Sequence, residues 1–178
     1  MTIDSIEIEY FRLATQYYVT GRFASLVFLM PVAGNLFHHA VELYAKGVLS
    51  RAVTEQQLKA LGHRLPDIWL QFKAQVKNSE LDQFDSVITR LNDFETIRYP
   101  EQLVVKGAEL IVQPRAFPRT KSIHPKSVPV PRYEIVLEEI DSLIDAVFAA
   151  AKVNPEFHLA GLSRDAKEFF SRSRVSPR

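Results

Sequence analysis

Asn35, His39, Glu42 and Lys46 recur at steps of four, three and four within the stretch GNLFHHAVELYAKGVLSRA. An imidazole, a carboxylate and an amine on one side of a helix are groups that move protons, hold a phosphate or bind a cation. Advancing about 100° per residue gathers Asn35, His38, His39, Glu42, Lys46 and Ser50 into an arc of about 120°, with nearly everything else around the wheel apolar. Such a stripe has two readings. It faces water, with Glu42 and Lys46 as an i,i+4 pair, or it lies inside, where an unpaired carboxylate is very costly and needs a cationic or donor partner.

The elements around the stripe follow from periodicity and breakers. DSIEIEYFRLATQYYVTG reads as a helix capped by Asp4 and stopped by Gly21, with Ile6, Tyr10, Leu13 and Tyr17 at helical spacing. Pro31 opens or kinks the next segment, which is helical from about Val32 to Ala52. TEQQLKALG is a short helix capped by Thr54 and ended by Gly62. HRLPDIWLQFKAQVK carries Pro66 in its opening turn, and SELDQFDSVITRLNDFETIRY is capped by Ser79 and closes before Pro100. LVVKGAELIV places two β-branched runs around Lys106-Gly107, a hairpin pattern. Five of the ten prolines then fall within residues 114–131, marking an extended loop. PRYEIVLEEIDSLIDAVFAAAK returns to an amphipathic helix through Ile135, Ile140, Leu143, Ile144 and Val147, and NPEFHLAGLSRDAKEFF forms a last one.

The expected fold is all-α: an antiparallel, up-and-down bundle of four to five helices in a single domain over residues 1–170. A small β-hairpin and proline-rich loop at 103–131 interrupt it before the last long helix, and 171–178 form a flexible basic tail. At 178 residues, 47% hydrophobic and 24% charged, the chain has the composition of one globular domain. A formal charge of +1 excludes a general attraction to nucleic acid or anionic membrane. The exception is local. Lys106, Arg115, Arg119, Lys121, Lys126 and Arg132 face a single acid, Glu109, across residues 106–132, for a net +5. Lys106, Arg115, Lys121, Lys126 and Arg132 are therefore candidates to meet a phosphate backbone or an acidic partner. Without cysteine there is no disulfide, thiolate nucleophile or thiolate zinc site. The acidic start MTIDSIEIEY does not read as a signal peptide, and FASLVFLMPVAG is too short to span a membrane. A cytoplasmic protein is expected.

Three motifs then occur in order: Ala40, Glu42 and Lys46 on one helix; Gly62, His63 and Leu65 opening the next; Arg98, Tyr99 and Pro100 closing a third. In order, spacing and residue type this resembles the HEPN family of small α-helical domains, over residues 10–100 and more loosely in the helix after Pro131. The resemblance implies that Asn35, His39, Glu42, Lys46, His63, Arg98 and Tyr99 include a polar network inside the bundle. Such a network fixes helix register or lines a cleft for a nucleotide. It also implies a homodimer, to which the wide apolar face of residues 36–48 adds a second motive.

HEPN members that cut RNA carry an arginine followed four to six residues later by a histidine, two such motifs meeting across the dimer. RTKSIH, Arg119 to His124, matches that spacing. It would let histidine move the 2′-hydroxyl proton while arginine holds the phosphate. Its place between Pro118 and Pro125, ahead of the final helix rather than at its start, departs from the family pattern and forgoes rigid orientation. His38, His39 and Glu42 share a helix side, but neither His-Glu-x-x-His nor Glu-x-x-His is present, so no metal or cofactor is expected. The leading expectation is a non-catalytic HEPN-like domain that binds a nucleotide, RNA or protein partner in a stress, defence or toxin–antitoxin setting. A nucleotidyltransferase-type antitoxin is one such partner. Beside it stand a metal-independent endoribonuclease using Arg119 and His124, and a purely structural interaction module.

Overall fold

A computed structural model describes residues 5–99, 101, 104, 107–114 and 130–174. Helix α1 spans Ser5–Leu26 and passes straight through Gly21. That glycine is not a stop: a Cβ there would meet the Phe37 ring at 2.8 Å, so it is small because α2 packs against it. Phe28 ends α1 in the left-handed region, φ 59°, and the Leu29 N–H donates to the Ala24 carbonyl at 2.9 Å. Helix α2 spans Met30–Leu49, with Pro31 in the first turn where its missing donor costs nothing.

Thr54 and Gln57 form a reciprocal capping box for α3, Glu55–Ala60. Helix α4, Leu65–Val76, again carries its proline in the opening turn. A 3-10 stretch, Ser79–Phe84, leads into α5, Asp85–Thr96. The cap of that stretch is Asn78 rather than Ser79, its side chain accepting from the Glu80 N–H.

Among the described residues the expected hairpin is not formed. Strand β1, Glu109–Gln113, pairs in parallel with β2, Arg132–Val136, Glu109 opposite Arg132 and Gln113 opposite Val136. Val104, expected in the first arm, is helical. A two-residue turn joins only antiparallel neighbours, whereas a parallel partner requires a long crossover. β2 also takes the first residues assigned above to the last long helix, so α6 begins at Leu137 and ends at Ala151. The closing segment divides into α7, Pro155–Ala160, and α8, Arg164–Ser173, because Ser163 caps a new helix through the Ala166 N–H. Residues 171–173 are helical, and Arg174 pairs with Asp145 at 2.7 Å, so the expected tail is docked up to that point.

Helix α2 is the axis of this mostly helical bundle, packing on α1, α4, α5, α6 and β1. Phe37, Ala40, Val41, Tyr44 and Ala45 on it are fully buried. The apolar face of residues 36–48 is thus covered within the chain, and it no longer motivates a dimer. Among the described residues no helix is long and apolar enough to cross a membrane. At Gly34 of α2 a Cβ would stand 2.0 Å from the buried Phe94 ring of α5, so only a glycine fits there.

Candidate functional site

Glu42 is 3% exposed, and its carboxylate gathers four nitrogen groups. Lys46, one turn along α2, donates from Nζ to Oε1 at 2.7 Å. His63 Nδ1 lies 3.0 Å from Oε1 and 3.2 Å from Oε2. His38 Nε2 and His39 Nδ1 each stand 3.6 Å from Oε2. The helix sets Lys46, His38 and His39 by i+4 and i+3 spacing. His63 arrives from the α3–α4 connection, where Gly62 adopts φ +59°. That left-handed turn costs glycine little, and the Gly62 carbonyl accepts from Lys46 Nζ at 2.7 Å.

Burial pushes the Glu42 carboxyl up, but the neighbouring His38, His39 and Lys46 groups outweigh it and hold the carboxyl far below the ordinary carboxylate range. Glu42 is therefore an anion at neutral pH. The Leu91 carbonyl of α5 lies 3.2 Å from His38 Nδ1. A carbonyl only accepts, so Nδ1 carries the proton. Its Nε2 is buried, faces Glu42 and has no hydrogen-bond partner.

The cluster opens outward on one side. The His39 side chain is 25% exposed and that of His63 62%. The half-buried Tyr17 ring of α1 lies 5.6 Å from His39, whose ring is 6.3 Å from His63. Both rings turn Nδ1 toward Glu42, which as a carboxylate only accepts, so in the neutral rings Nε2 is left as an acceptor.

Of the residues singled out by sequence, the fold brings together His39, Glu42, Lys46 and His63. Asn35 stands apart, donating from Nδ2 to the Pro31 carbonyl at 2.9 Å. Arg98 pairs with Glu95 at 2.9 Å and lies over the exposed Tyr99 ring at 5.2 Å; none of the described ion pairs of Glu42 involves it. Arg132 is neutralised by Glu134 at 3.3 Å and Glu109 at 3.8 Å. Lys106, Arg115, Arg119, Lys121, His124 and Lys126 lie outside the described residues. The sequence places His38 in the polar arc without singling it out as a site residue, and Tyr17 was missed. His38 belongs to it by its i,i+4 spacing to Glu42, a signal present in the sequence. Tyr17 reads there only as one apolar position of α1.

A second buried charged group lies elsewhere in the bundle. Tyr18 Oη donates to Asp141 Oδ1 at 2.5 Å, and Arg22 Nη1 stands 3.5 Å from Oδ2. Arg174 Nε approaches the same oxygen at 3.9 Å. Burial pushes the Asp141 carboxyl up, against the pull of Arg22, Tyr18 and Arg174. This group joins α1 to α6 and the C-terminal segment, and no sequence motif marks it. Comparison with protein-family models, curated proteins and solved structures finds no match for this chain.

Proposed function

We propose that this chain is a HEPN-like helical domain that binds rather than cuts, and that the Glu42 cluster is its site for a nucleotide, free or within single-stranded RNA. One observation carries this reading: a buried carboxylate orients two solvent-reaching imidazoles beside an aromatic ring. His39 and His63 offer Nε2 acceptors to the exocyclic amine or ribose hydroxyls, and Tyr17 offers a face for the base. Arg64, next to His63 and 80% exposed, carries a guanidinium paired with the exposed Asp67 at 3.3 Å, from which a phosphate could draw it. A base–aromatic contact contributes about 1–3 kcal/mol, so Tyr17→Ala and His63→Ala should each weaken binding about tenfold or more. Fluorescence anisotropy with a labelled single-stranded RNA, and calorimetry with ATP, measure this at fixed salt. Affinities that both substitutions leave unchanged reject the site.

The homodimer implied by the resemblance is carried in this reading by another surface. Phe23, Leu26, Val27, Phe28, Leu29 and Val32 crowd the α1–α2 turn with at least 48% exposure each, a contiguous apolar patch of the kind that marks association. Phe28 is 79% exposed and also holds a left-handed backbone that disfavours a bulky side chain. Light scattering at tens of micromolar, an ordinary range for specific association, should give a dimer for the native chain and a monomer for Phe28→Asp. Native monomers at that concentration reject the patch.

A further inference from the structure

We propose that His38, His39 and Glu42, completed by His63, form a binding site for one divalent transition-metal ion of the zinc class. The proposal rests on the reading of the Glu42 cluster as a ligand site, not on the nucleotide. One donor atom from each of His38, His39 and Glu42 lies within 4.8 Å of the other two. Around Glu42 Oε2 the nitrogens of His38, His39 and His63 stand at 3.6, 3.6 and 3.2 Å. Tetrahedral zinc with bonds of about 2.0–2.1 Å has ligand–ligand edges of about 3.3 Å, close to the three distances to Glu42 Oε2, while His63 lies outside the tight group and must swing toward His38 and His39 to join it. His63 is exposed and sits on a connection, which lets it supply the fourth ligand. The lack of a two-histidine helical motif is not decisive, because the last donor comes from another segment.

His38 supplies the independent observation. Its Nδ1 proton is committed to the Leu91 carbonyl at 3.2 Å, and its buried Nε2 faces a carboxylate oxygen 3.6 Å away without a hydrogen-bond partner. Two buried lone-pair groups facing each other repel unless a proton or a cation lies between them. A proton there makes an imidazolium–carboxylate pair, and an ion there makes both groups its ligands. An ion between them leaves that spacing natural. The surrounding contacts also match what metal ligands require. A backbone carbonyl fixes the His38 tautomer, and Lys46 holds the other carboxylate oxygen, Oε1, at 2.7 Å. The Lys46 charge opposes the ion, which limits its affinity. All four donors are nitrogen or carboxylate oxygen, suited to Zn²⁺, Co²⁺ or Ni²⁺ rather than Ca²⁺. With the ion bound through Nδ1, His39 and His63 would carry their protons on Nε2 and present donors rather than acceptors to a nucleotide.

The test uses the full chain without an affinity tag, stripped with a chelator and titrated with Zn²⁺ alone by calorimetry. Co²⁺ serves as the spectroscopic probe. One ion per chain is expected, with proton release and an intense visible Co²⁺ spectrum of tetrahedral type. His39→Ala and His63→Ala, at a half-buried and an exposed position outside the apolar core, should each weaken uptake at least about tenfold. Failure to take up one equivalent, a Co²⁺ spectrum of the hydrated ion, or uptake that survives both substitutions overturns the site. RNA and ATP binding by the chelator-treated protein is measured alongside. Nucleotide binding without metal uptake rejects the metal site alone, and metal uptake without nucleotide binding rejects only the nucleotide.

Discussion

Replacing Glu42 by alanine should cost the metal-free protein about 3–5 kcal/mol of unfolding free energy at neutral pH, because it strands a buried charge. Lys46 is 7% exposed and would keep only the Gly62 carbonyl as a partner. The pair itself need not be stabilising, since desolvating two charges offsets most of their attraction. The double substitution Glu42→Leu with Lys46→Met, which removes both charges and keeps the volume, should therefore recover much of the loss. The pH dependence has a definite sign. Glu42 is held well below its unfolded value, so its contribution is present above the unfolded carboxyl range of about 4.3 and is lost as pH falls toward the folded value. The native advantage over Glu42→Gln should thus be full at pH 7 and narrow in acid. Urea unfolding of chelator-treated proteins across that range measures it. An advantage that is flat with pH, or a Glu42→Ala cost below about 1 kcal/mol, as for a surface pair, would place the carboxylate in water.

Gly34→Ala is expected to be of similar severity, about 3 kcal/mol, at the top of the usual overpacking range. The new methyl would stand 2.0, 2.4 and 2.5 Å from three atoms of the Phe94 ring, which is itself fully buried with nowhere to retreat. Either the ring leaves its rotamer or α2 and α5 part. Parting also pulls His38, one turn along α2, from the Leu91 carbonyl, one turn back on α5. Gly34→Ala should accordingly weaken ligand uptake at the Glu42 cluster as well as stability. Phe94→Leu combined with Gly34→Ala makes room for the methyl, and the double variant should be less destabilised than the sum of the two. Additive losses by thermal and urea unfolding would show that the methyl and the ring never meet.

Where helices run without long-range interference, the sequence reads well. Pro31, Thr54 and Pro66 mark helix starts through the backbone donors they lack or satisfy, a purely local effect. The polar stripe on α2 is legible for the same reason, and so is its need for partners. Which partners it takes is not local. His63 and Arg98 are equally plausible cations in one dimension, and only the turn at Gly62 selects the histidine. Gly21 misleads because a missing side chain serves a backbone turn and a tight packing contact alike. Lys106-Gly107 misleads because β-branched runs declare a strand but not its partner, which lies at 132–136. The docking of Arg174 depends on acids some thirty residues earlier, Asp141 and Asp145, and nothing near it in sequence announces them.

The parallel pairing of β1 and β2 pins both ends of the segment between them. Both strands are anchored in the core, through Val112 and Ile135, each at most 3% exposed. The register from Glu109–Arg132 to Gln113–Val136 therefore presents the same two ends to whatever sequence joins them. Loop-closure entropy grows only with the logarithm of length, about 0.6 kcal/mol per doubling. Lengthening the connection between Gln113 and Arg132 therefore costs the strand pairing little closure entropy. The Glu42 cluster, built from α2 and the α3–α4 connection, draws no residue from either strand.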